Sequence, residues 1–478
     1  MMNTIVEEKG ITFKDLEKKI FKYVCDIGVE ITQKLLENKD KEIHRSRDKS
    51  RYRDKGYRKT SIKTIYGDVT YSRHIYKTVN EDGSIEFIYL LDEYLNMDKI
   101  GLISTNLAEK IADCVTEESY RAAADVISNT SGQTISHGGV WKVVQRLGER
   151  VTEEEAHMVK EFQADTIQAE KEIDVLFEEM DGVWLKFQGK DHKKMPKQEM
   201  KVATIYEGWK ADTTRSSLVG KKVLAGMEKS EEFHEKREAQ IRSIYNADEI
   251  KYRILNGDGG GWIKDPYDPE VIYQLDPFHV KKAIKDKINQ SEEARTDITA
   301  LYEDGKIDYM LDYIEMYANS VDTGKEGDKR AEKAWELYKY LTDNKEGLLS
   351  YDKRNLNLPQ PPEGVCYKKM GVQENQNCTV ITIRMKGKRR RWSISGANNM
   401  AKLLYKKENK ELHRVVERYA EELIFKDEMP EIIETLSAGR SPKKDGKGNI
   451  YVDLIGVYIP IKEAAMTAAR KEFVKIFA

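Results

Sequence analysis

At 478 residues the chain is too long for one ordinary domain, and about two to four are expected. Its 81 Lys and Arg against 83 Asp and Glu leave a formal charge of −2, while 39% hydrophobic residues supply core material beneath a surface rich in charge. Ten prolines and 31 glycines exclude a collagen-like or Pro/Gly-rich disordered chain; no run approaches the ~18 apolar residues of a transmembrane helix, and the acidic start MMNTIVEEKG lacks the basic and apolar regions of a signal peptide, so a cytoplasmic protein without a membrane partner is expected.

Residues 1–45 form an N-terminal helical segment in which Phe13, Leu16, Ile20, Val24, Ile27, Ile31 and Leu35 recur at steps of three and four. A small basic β unit follows over 46–100. Between Lys41 and Lys63 ten Lys and Arg face three acids, and Arg51, Arg53, Arg58 and Lys59 are interleaved with Tyr52 and Tyr57. The alternation in IKTIYGDVTYSRHIYKT around Tyr66-Gly67-Asp68 predicts a β-hairpin, with FIYLLDEYL as a third strand. Over 101–150, short helices broken at Asn129 and Ser131-Gly132 precede a helix launched by Thr134–His137, the pattern of a helix-turn-helix or of a plain αα-hairpin. In the DNA-binding reading, Ser136, His137 and Lys142 lie on the exposed face, while Val140, Trp141 and Val144 pack inward.

A capping box at Thr152-x-x-Glu155 predicts the start of an acidic connector helix within 151–172. An α/β domain is expected over 173–282, with IDVLFEEMDGVWLKFQ as two strands meeting near Asp181-Gly182 and KYRILNGDGGGWI as a strand ending at Asp258. An all-helical insertion spans 283–355. The α/β pattern resumes over 356–425, where CTVITIR reads as a strand, and a C-terminal segment over 426–478 carries a loop, a strand pair and a last helix. The four cysteines and eight histidines show no spacing for a disulfide framework or a structural zinc, so the cysteines read as small buried hydrophobes.

Three acids occupy conspicuous places. Asp181 follows an apolar strand, Asp258 ends another, and Glu374 stands in Gly371–Gln376. Carboxylates at the ends of neighbouring strands can converge on hard divalent cations, and two such ions ~4 Å apart activate water or a 3′-hydroxyl against a phosphodiester. Each acid also has an innocent reading: Asp181-Gly182 and Asp258-Gly259 as turns, Glu374 as one surface acid among 83. In Asp276-Pro277-Phe278-His279 the first two residues read as a helix cap and first turn, and His279 is a candidate for touching a scissile phosphate. Lys386, Lys388, Arg389, Arg390 and Arg391 would neutralise phosphates, and Trp392 either stacks on an unpaired base or packs in the core.

With these residues in view, the chain resembles bacterial insertion-sequence transposases of the ISLre-two family. The likeness covers nearly the whole length and rests on seven blocks in order: GYRKTSIKTIYGDVTYSRHIY, ESYRAAADVISNTSGQTISHGGVWKVV, FEEMDGVWLKFQ, ILNGDGGGWI, LDPFHVKKAI, MGVQENQNCTVITIRMKGK and WSISGANNMAKL. It implies an α/β multidomain protein with an RNase H-like mixed-sheet catalytic domain, related to Mutator-like elements. The acids Asp181, Asp258 and Glu374 would be the catalytic and metal-binding DDE triad, with two Mg²⁺ (Mn²⁺ substituting). Asp276 and His279 match the D-x-x-H element shared with Mutator-like enzymes, and Glu178 and Glu179 are rival acids beside the first position. The implied partners are transposon-end and target DNA and further copies of the chain on that DNA, in the nucleoid. A DNA-binding protein without catalysis and an RNase H-like nuclease are the alternatives.

Overall fold

The computed structural model describes residues 12–417, except 81, 96–102, 168, 212–216, 265–269 and 323–328, together with 443–444 and 450–451. The chain divides into two compact units. One comprises Met1–Val115, Ser119–Val140 and Val416–Ala478, the other Thr116–Glu118 and Trp141–Val415. Among the described residues no helix is long and apolar enough to cross a membrane.

In the first unit a long helix α1 (Phe13–Ser46) lies on a three-stranded antiparallel sheet of β1 (Arg53–Thr64), β2 (Gly67–Val79) and β3 (Ile85–Ile88). Thr12 caps α1 by accepting from the Asp15 amide. The apolar stripe of the helix meets the sheet at its C-terminal half, where Leu36 packs with Val69, Tyr71 and Leu91; Phe13, Ile20 and Val24, at the other end, are exposed. The β1–β2 hairpin forms as expected, and the third strand stops at Ile88, giving way to a short helix Leu90–Tyr94. Two helices, α2 (Thr105–Glu117) and α3 (Tyr120–Thr130), follow. Between α3 and the next helix the chain touches the hairpin tip backbone to backbone. The Gly132 amide donates to the Ile65 carbonyl, and a Cβ at Gly132 would come within 2.1 Å of the Tyr66 oxygen, so only glycine fits.

Helix α4 (His137–Gln163) runs without a break. No new helix starts at Thr152, whose hydroxyl instead bonds back to the Gly148 carbonyl, a geometry available inside a helix. Nor is the helix merely a solvated connector. Glu155 is buried against Lys402 (2.7 Å), the Tyr405 hydroxyl and Lys236 (3.6 Å), and these groups compensate one another's burial.

The second unit is built on a five-stranded mixed sheet. In chain order its strands are β4 (Val175–Lys186), β5 (Lys197–Tyr206), β6 (Lys222–Gly226), β7 (Tyr252–Gly257) and β8 (Ile272–Leu275), and their order across the sheet is β8-β7-β4-β5-β6. β4, β5 and β6 pair antiparallel; β7 and β8 run parallel to β4. The two strands expected to meet at Asp181-Gly182 are one. Gly182 occupies a regular ladder position opposite Lys201, so Asp181 sits within the strand and not at a turn. Helix α5 (Ser230–Arg242) joins β6 to β7.

After β8 come α6 (Pro277–Lys287) and the all-helical segment α7 (Glu292–Glu303), α8 (Ile307–Val321) and α9 (Arg330–Asp343), whose apolar stripes share a core from Val280 and Ile284 to Leu337 and Leu341. The expected strand at CTVITIR is helical. Gln373–Gln376, a π-helical stretch Asn377–Thr382 and Ile383–Met385 run on continuously and are together α10. α11 (Ile394–Glu408) and α12 (Leu412–Glu417) complete this part. In the C-terminal segment Lys443–Lys444 pairs with Ile450–Tyr451, which puts strand pairing in the stretch SAGRSPKKDGKGNI expected to be a loop, while the strand pair expected around YVDLIGVYIPI, apart from Tyr451, and the terminal helix lie outside the described residues. Of the cysteines, Cys25 is buried, but Cys114 and Cys366 are half-buried and Cys378 is exposed.

Candidate active site

The parallel half of the sheet lines up three carboxylates. Met180 of β4 is in register with Gly257 of β7, and Gly257 with Leu275 of β8, so Asp181, Asp258 and Asp276 each come next on adjacent strands. Because β7 and β8 stop there, Asp258 and Asp276 leave the sheet at its carboxyl edge, where α/β proteins place their sites. The Asp276 amide bonds to the Gly257 carbonyl at 2.8 Å, continuing the pairing by one step.

Each acid is held by its own local chemistry. Asp181 accepts from the Gly182 amide (2.7 Å) and from Asn377 Nδ2 of α10 (2.7 Å). Asp258 accepts from the Gly260 amide (2.8 Å) within a glycine loop whose Gly259 is left-handed (φ +87°) and would clash with Asn344 if it carried a side chain. This loop leads into a short helix at Gly261, so the hairpin reading of Asp258-Gly259 does not apply. Asp276 caps α6 as expected, accepting from the Phe278 amide at 2.9 Å with Pro277 in the first turn.

That turn of α6 delivers His279, whose Nε2 lies 3.7 Å from Asp181 Oδ2. Glu374, exposed at the start of α10, completes the group: ligand atoms of Asp181, His279 and Glu374 all lie within 4.8 Å of one another. Asp258 is not in this group; its carboxylate faces its own glycine loop, although its charge bears on both His279 and Glu199. The donors are mainly carboxylate oxygens, the kind that suits a hard divalent cation.

The two rival acids have other work. Side chains alternate across a strand, so Glu178 and Glu179 face opposite sides. Glu178 lies buried with Arg253 (2.8 Å) and Arg237 (3.3 Å), which also engage Glu238. Glu179 shares the face of Asp181 and accepts from five groups: the Tyr206 hydroxyl (2.6 Å), Asn256 Nδ2 (3.0 Å), and the amides of Gly371 (3.0 Å), Val372 (3.0 Å) and Gln373 (3.2 Å). The left-handed Gly371 (φ +128°) turns the chain so that these three amides converge on it. The first turn of α10, and with it Glu374, is thereby tethered to the sheet.

Burial works against charge on His279, but Asp181, with Asp276 and Asp258 behind it, outweighs burial and raises its pKa. Asp276 is pushed up to about 6, first by burial and then by Glu179 and Asp181, against the Phe278 amide and His279. This yields a pH-dependent prediction. Folded Asp276 holds its proton more tightly than the unfolded side chain does (ordinary value 3.8), so the stability it contributes is complete below about pH 4 and is lost as pH rises to about 6. Asn keeps the cap without titrating. Relative to Asp276→Asn, the native protein should lose about 3 kcal/mol across that window, at 1.36 kcal/mol per pKa unit. Urea denaturation of both proteins in metal-free buffer from pH 4 to 7 measures this, and parallel stability curves would refute it.

Sequence reasoning does not reach Asn377, Glu179 as an anchor, or Glu199. Burial, followed by Asp258, raises the pKa of Glu199, which also takes a hydrogen bond from Trp262. A Cβ at Gly182 would meet its Oε1 at 1.8 Å, so the glycine after Asp181 leaves room for this further acid.

The nucleic-acid candidates divide. Arg51, Arg53, Arg58 and Lys59 are exposed on and beside β1. His137 and Lys142 are exposed at the start of α4, whereas Ser136 accepts from the Gly139 amide and so caps that helix. Val140 and Val144 are buried as expected; Trp141 is not, at 44% exposure. Lys386, Lys388, Arg389 and Arg391 are exposed, and Lys388 and Arg389 both hold left-handed backbone (φ +54° and +56°). Arg390 is engaged with the Arg384 carbonyl. Trp392 is buried (6% exposed), its indole bonded to the Met385 carbonyl and its backbone bridged to Phe187. It packs in the core and has no free face for a base.

The fold and site thus define an α/β protein of several parts with an acid-rich cluster at the carboxyl edge of its central sheet. A family model described as "Uncharacterised protein family (UPF0236)" matches residues 6–422, and the chain belongs to that family. It is also similar to "UPF0236 protein in vanSb 3'region" of Streptococcus gallolyticus, 25% identical over an alignment of 426 residues, with 85% of this chain and 86% of the relative covered.

Proposed function

We propose that the protein is a DNA transposase of the DDE type, which binds the ends of its element, cleaves the DNA and joins the freed 3′-hydroxyl to a target. The observation that carries this is the placement of the acids: Asp181 on the central strand, Asp258 at the end of the parallel strand beside it, and Glu374 on a helix reached after an all-helical insertion. Three antiparallel strands followed by two parallel ones, ordered β8-β7-β4-β5-β6, support an RNase H-like reading of the sheet.

Asp181, Asp258 and Glu374 would hold Mg²⁺, two ions in this reading, with Mn²⁺ as a substitute; when bound, they lower the pKa of an attacking water or 3′-hydroxyl and stabilise the leaving oxygen. The chain's own groups do the rest. Asn377 and the Gly182 amide fix the orientation of Asp181. His279, its protonated form favoured by Asp181, presents a donor to a phosphate oxygen. The exposed cations of β1, of α4 and of the loop before α11 supply phosphate contacts, and further copies of the chain on DNA would bring two ends together.

The test is incubation of the purified protein and Mg²⁺ with duplexes carrying the DNA that flanks its gene. The expected product is a nick exposing a 3′-hydroxyl at the element end, followed by joining. Binding without cleavage, or degradation from free ends, overturns the reading in favour of a non-catalytic DNA-binding protein or a nuclease.

The loop cations give a separate prediction. Replacing Lys386, Lys388, Arg389 and Arg391 by Gln should weaken binding to all DNA sequences alike. The slope of log affinity against log salt should flatten by about 0.9 for each phosphate that is no longer neutralised. A slope equal to that of the native protein would place the DNA elsewhere.

A further inference from the structure

The first unit contains a second cluster of ligating side chains, far in sequence from the carboxylates. Asp40 and His44 stand one turn apart on α1, on the face that meets the sheet, while His74 and Tyr76 alternate onto the facing side of β2. The opposing strand completes it. Asp54 is in register with Tyr76 and Tyr57 with His74, and the two residues between them form a β-bulge. Gly56 in that bulge is left-handed (φ +86°), and its amide bonds to Asp54 Oδ1 at 2.9 Å. Bulges re-aim side chains beside functional sites, and this one sets a carboxylate next to two imidazoles. Ligand atoms of His44, Asp54 and His74 all lie within 4.8 Å of one another.

The neighbours of these residues are those a metal site uses. Asp40, 1% exposed, accepts from the His74 backbone amide (3.0 Å) and pairs with His74 Nδ1 (2.5 Å). A buried carboxylate on one ring nitrogen fixes the tautomer and leaves Nε2 as the ligand, the orientation partner seen behind metal-bound histidines. His44 Nδ1 is likewise engaged, by the Tyr76 hydroxyl at 3.3 Å, leaving its Nε2 to give. The two rings lie 3.9 Å apart and nearly parallel (17°), so one imidazole must rotate for both Nε2 lone pairs to meet one ion, and Tyr57 closes over His74 at 4.0 Å. Arg47, a cation whose charge bears on His44, is held over the Tyr76 ring and on the Tyr52 carbonyl. Asp54 is exposed, so a fourth position is open to water.

We propose that His44, His74 and Asp54 bind one divalent transition-metal ion of the zinc class, with Asp40 as the orienting carboxylate. Two imidazoles and one carboxylate match the nitrogen and oxygen ligands of such ions, whereas Mg²⁺ prefers oxygen alone. A bound ion would join α1, β2 and the bulged edge of β1, and so order the strand that carries Arg53, Arg58 and Lys59. No spaced motif announces the site, because its ligands come from a helix, a strand and a bulge.

The experiment uses the full chain, stripped with chelator and titrated with Co²⁺ as a spectroscopic stand-in for Zn²⁺. An Asp181→Asn/Glu374→Gln variant removes competition from the carboxylate cluster. That variant should still take up one equivalent, with the visible absorption of a tetrahedral site and a rise in melting temperature. His44→Gln introduced into it should abolish the absorption. Asp54→Asn, a change at an exposed residue that leaves the fold intact, should weaken binding at least about tenfold, and it decides the matter should His44→Gln fail to fold. Absence of a saturable equivalent, or binding indifferent to Asp54→Asn, overturns the assignment.

Discussion

Under the proposed function, Asp258→Ala protein is expected to bind element-end DNA about as well as the native protein and to lose strand cleavage by at least about a thousandfold. The binding half of that expectation follows from where the proposal puts affinity: phosphate contacts that exposed cations on other elements would make. The cleavage half follows from register. Asp258 follows the end of β7, next to the strand of Asp181, and in the proposed site it would turn from its glycine loop to supply one of the cation's ligands. Several kcal/mol of stabilisation at the reacting phosphate of the proposed reaction would then disappear, at ~1.36 kcal/mol per tenfold in rate. Stability should barely change, because among the described residues the carboxylate's hydrogen bond is to its own loop. Parallel binding and cleavage assays on a flanking-DNA duplex decide it, and a variant that cleaves at the native rate removes Asp258 from the site.

Glu179→Ala should behave in the opposite way, losing about 3–5 kcal/mol of folding stability, since a buried donor left without its acceptor costs roughly 1–3 kcal/mol and several are involved. Five donors converge on this side chain, and alanine would leave buried donors without their acceptor. Glu179→Gln is the sharper test, since its volume is unchanged but one acceptor oxygen becomes an NH₂ facing other donors. It too should be destabilised, and the remaining folded protein should cleave poorly because Glu374 rides on the tethered turn. Urea denaturation measures the first effect; a Gln variant as stable as the native protein would show that the tether contributes little.

The parts of the site that are legible in sequence are those set by local rules. Asp258 ends a strand, Asp276-Pro277 opens a helix, and His279 follows on its first turn, all within a few residues. Glu374 stands out in sequence, but its setting does not. Asn377–Met385 is rich in β-branched residues and reads as a strand, yet it is helical, burying Val380, Ile381 and Met385 and exposing Ile383. Packing outweighs a propensity worth at most ~1 kcal/mol. The separation of Glu178 from Glu179 follows from the period of two, but only once β4 is known to be a single strand through Asp181, and a turn at Asp181-Gly182 would hide it. Glu199 and Asn377 have no local signal at all, since their roles arise from register across the sheet and from the helix laid against it. Trp141 and Trp392 look alike in sequence, as aromatics near basic residues, and long-range packing exposes the one and buries the other.

The left-handed pair Lys388–Arg389 matters to anyone engineering this protein. An L-residue in that conformation costs roughly 1–2 kcal/mol, a penalty glycine escapes. A screen for thermostable variants would therefore be drawn to Lys388→Gly and Arg389→Gly, which relax the backbone at exposed positions. Both remove positive charge from the loop before Trp392, so hardening the scaffold there would work directly against the grip on a polyanion proposed for it, and a selection for heat resistance alone would then drift toward a sturdier but less adhesive protein.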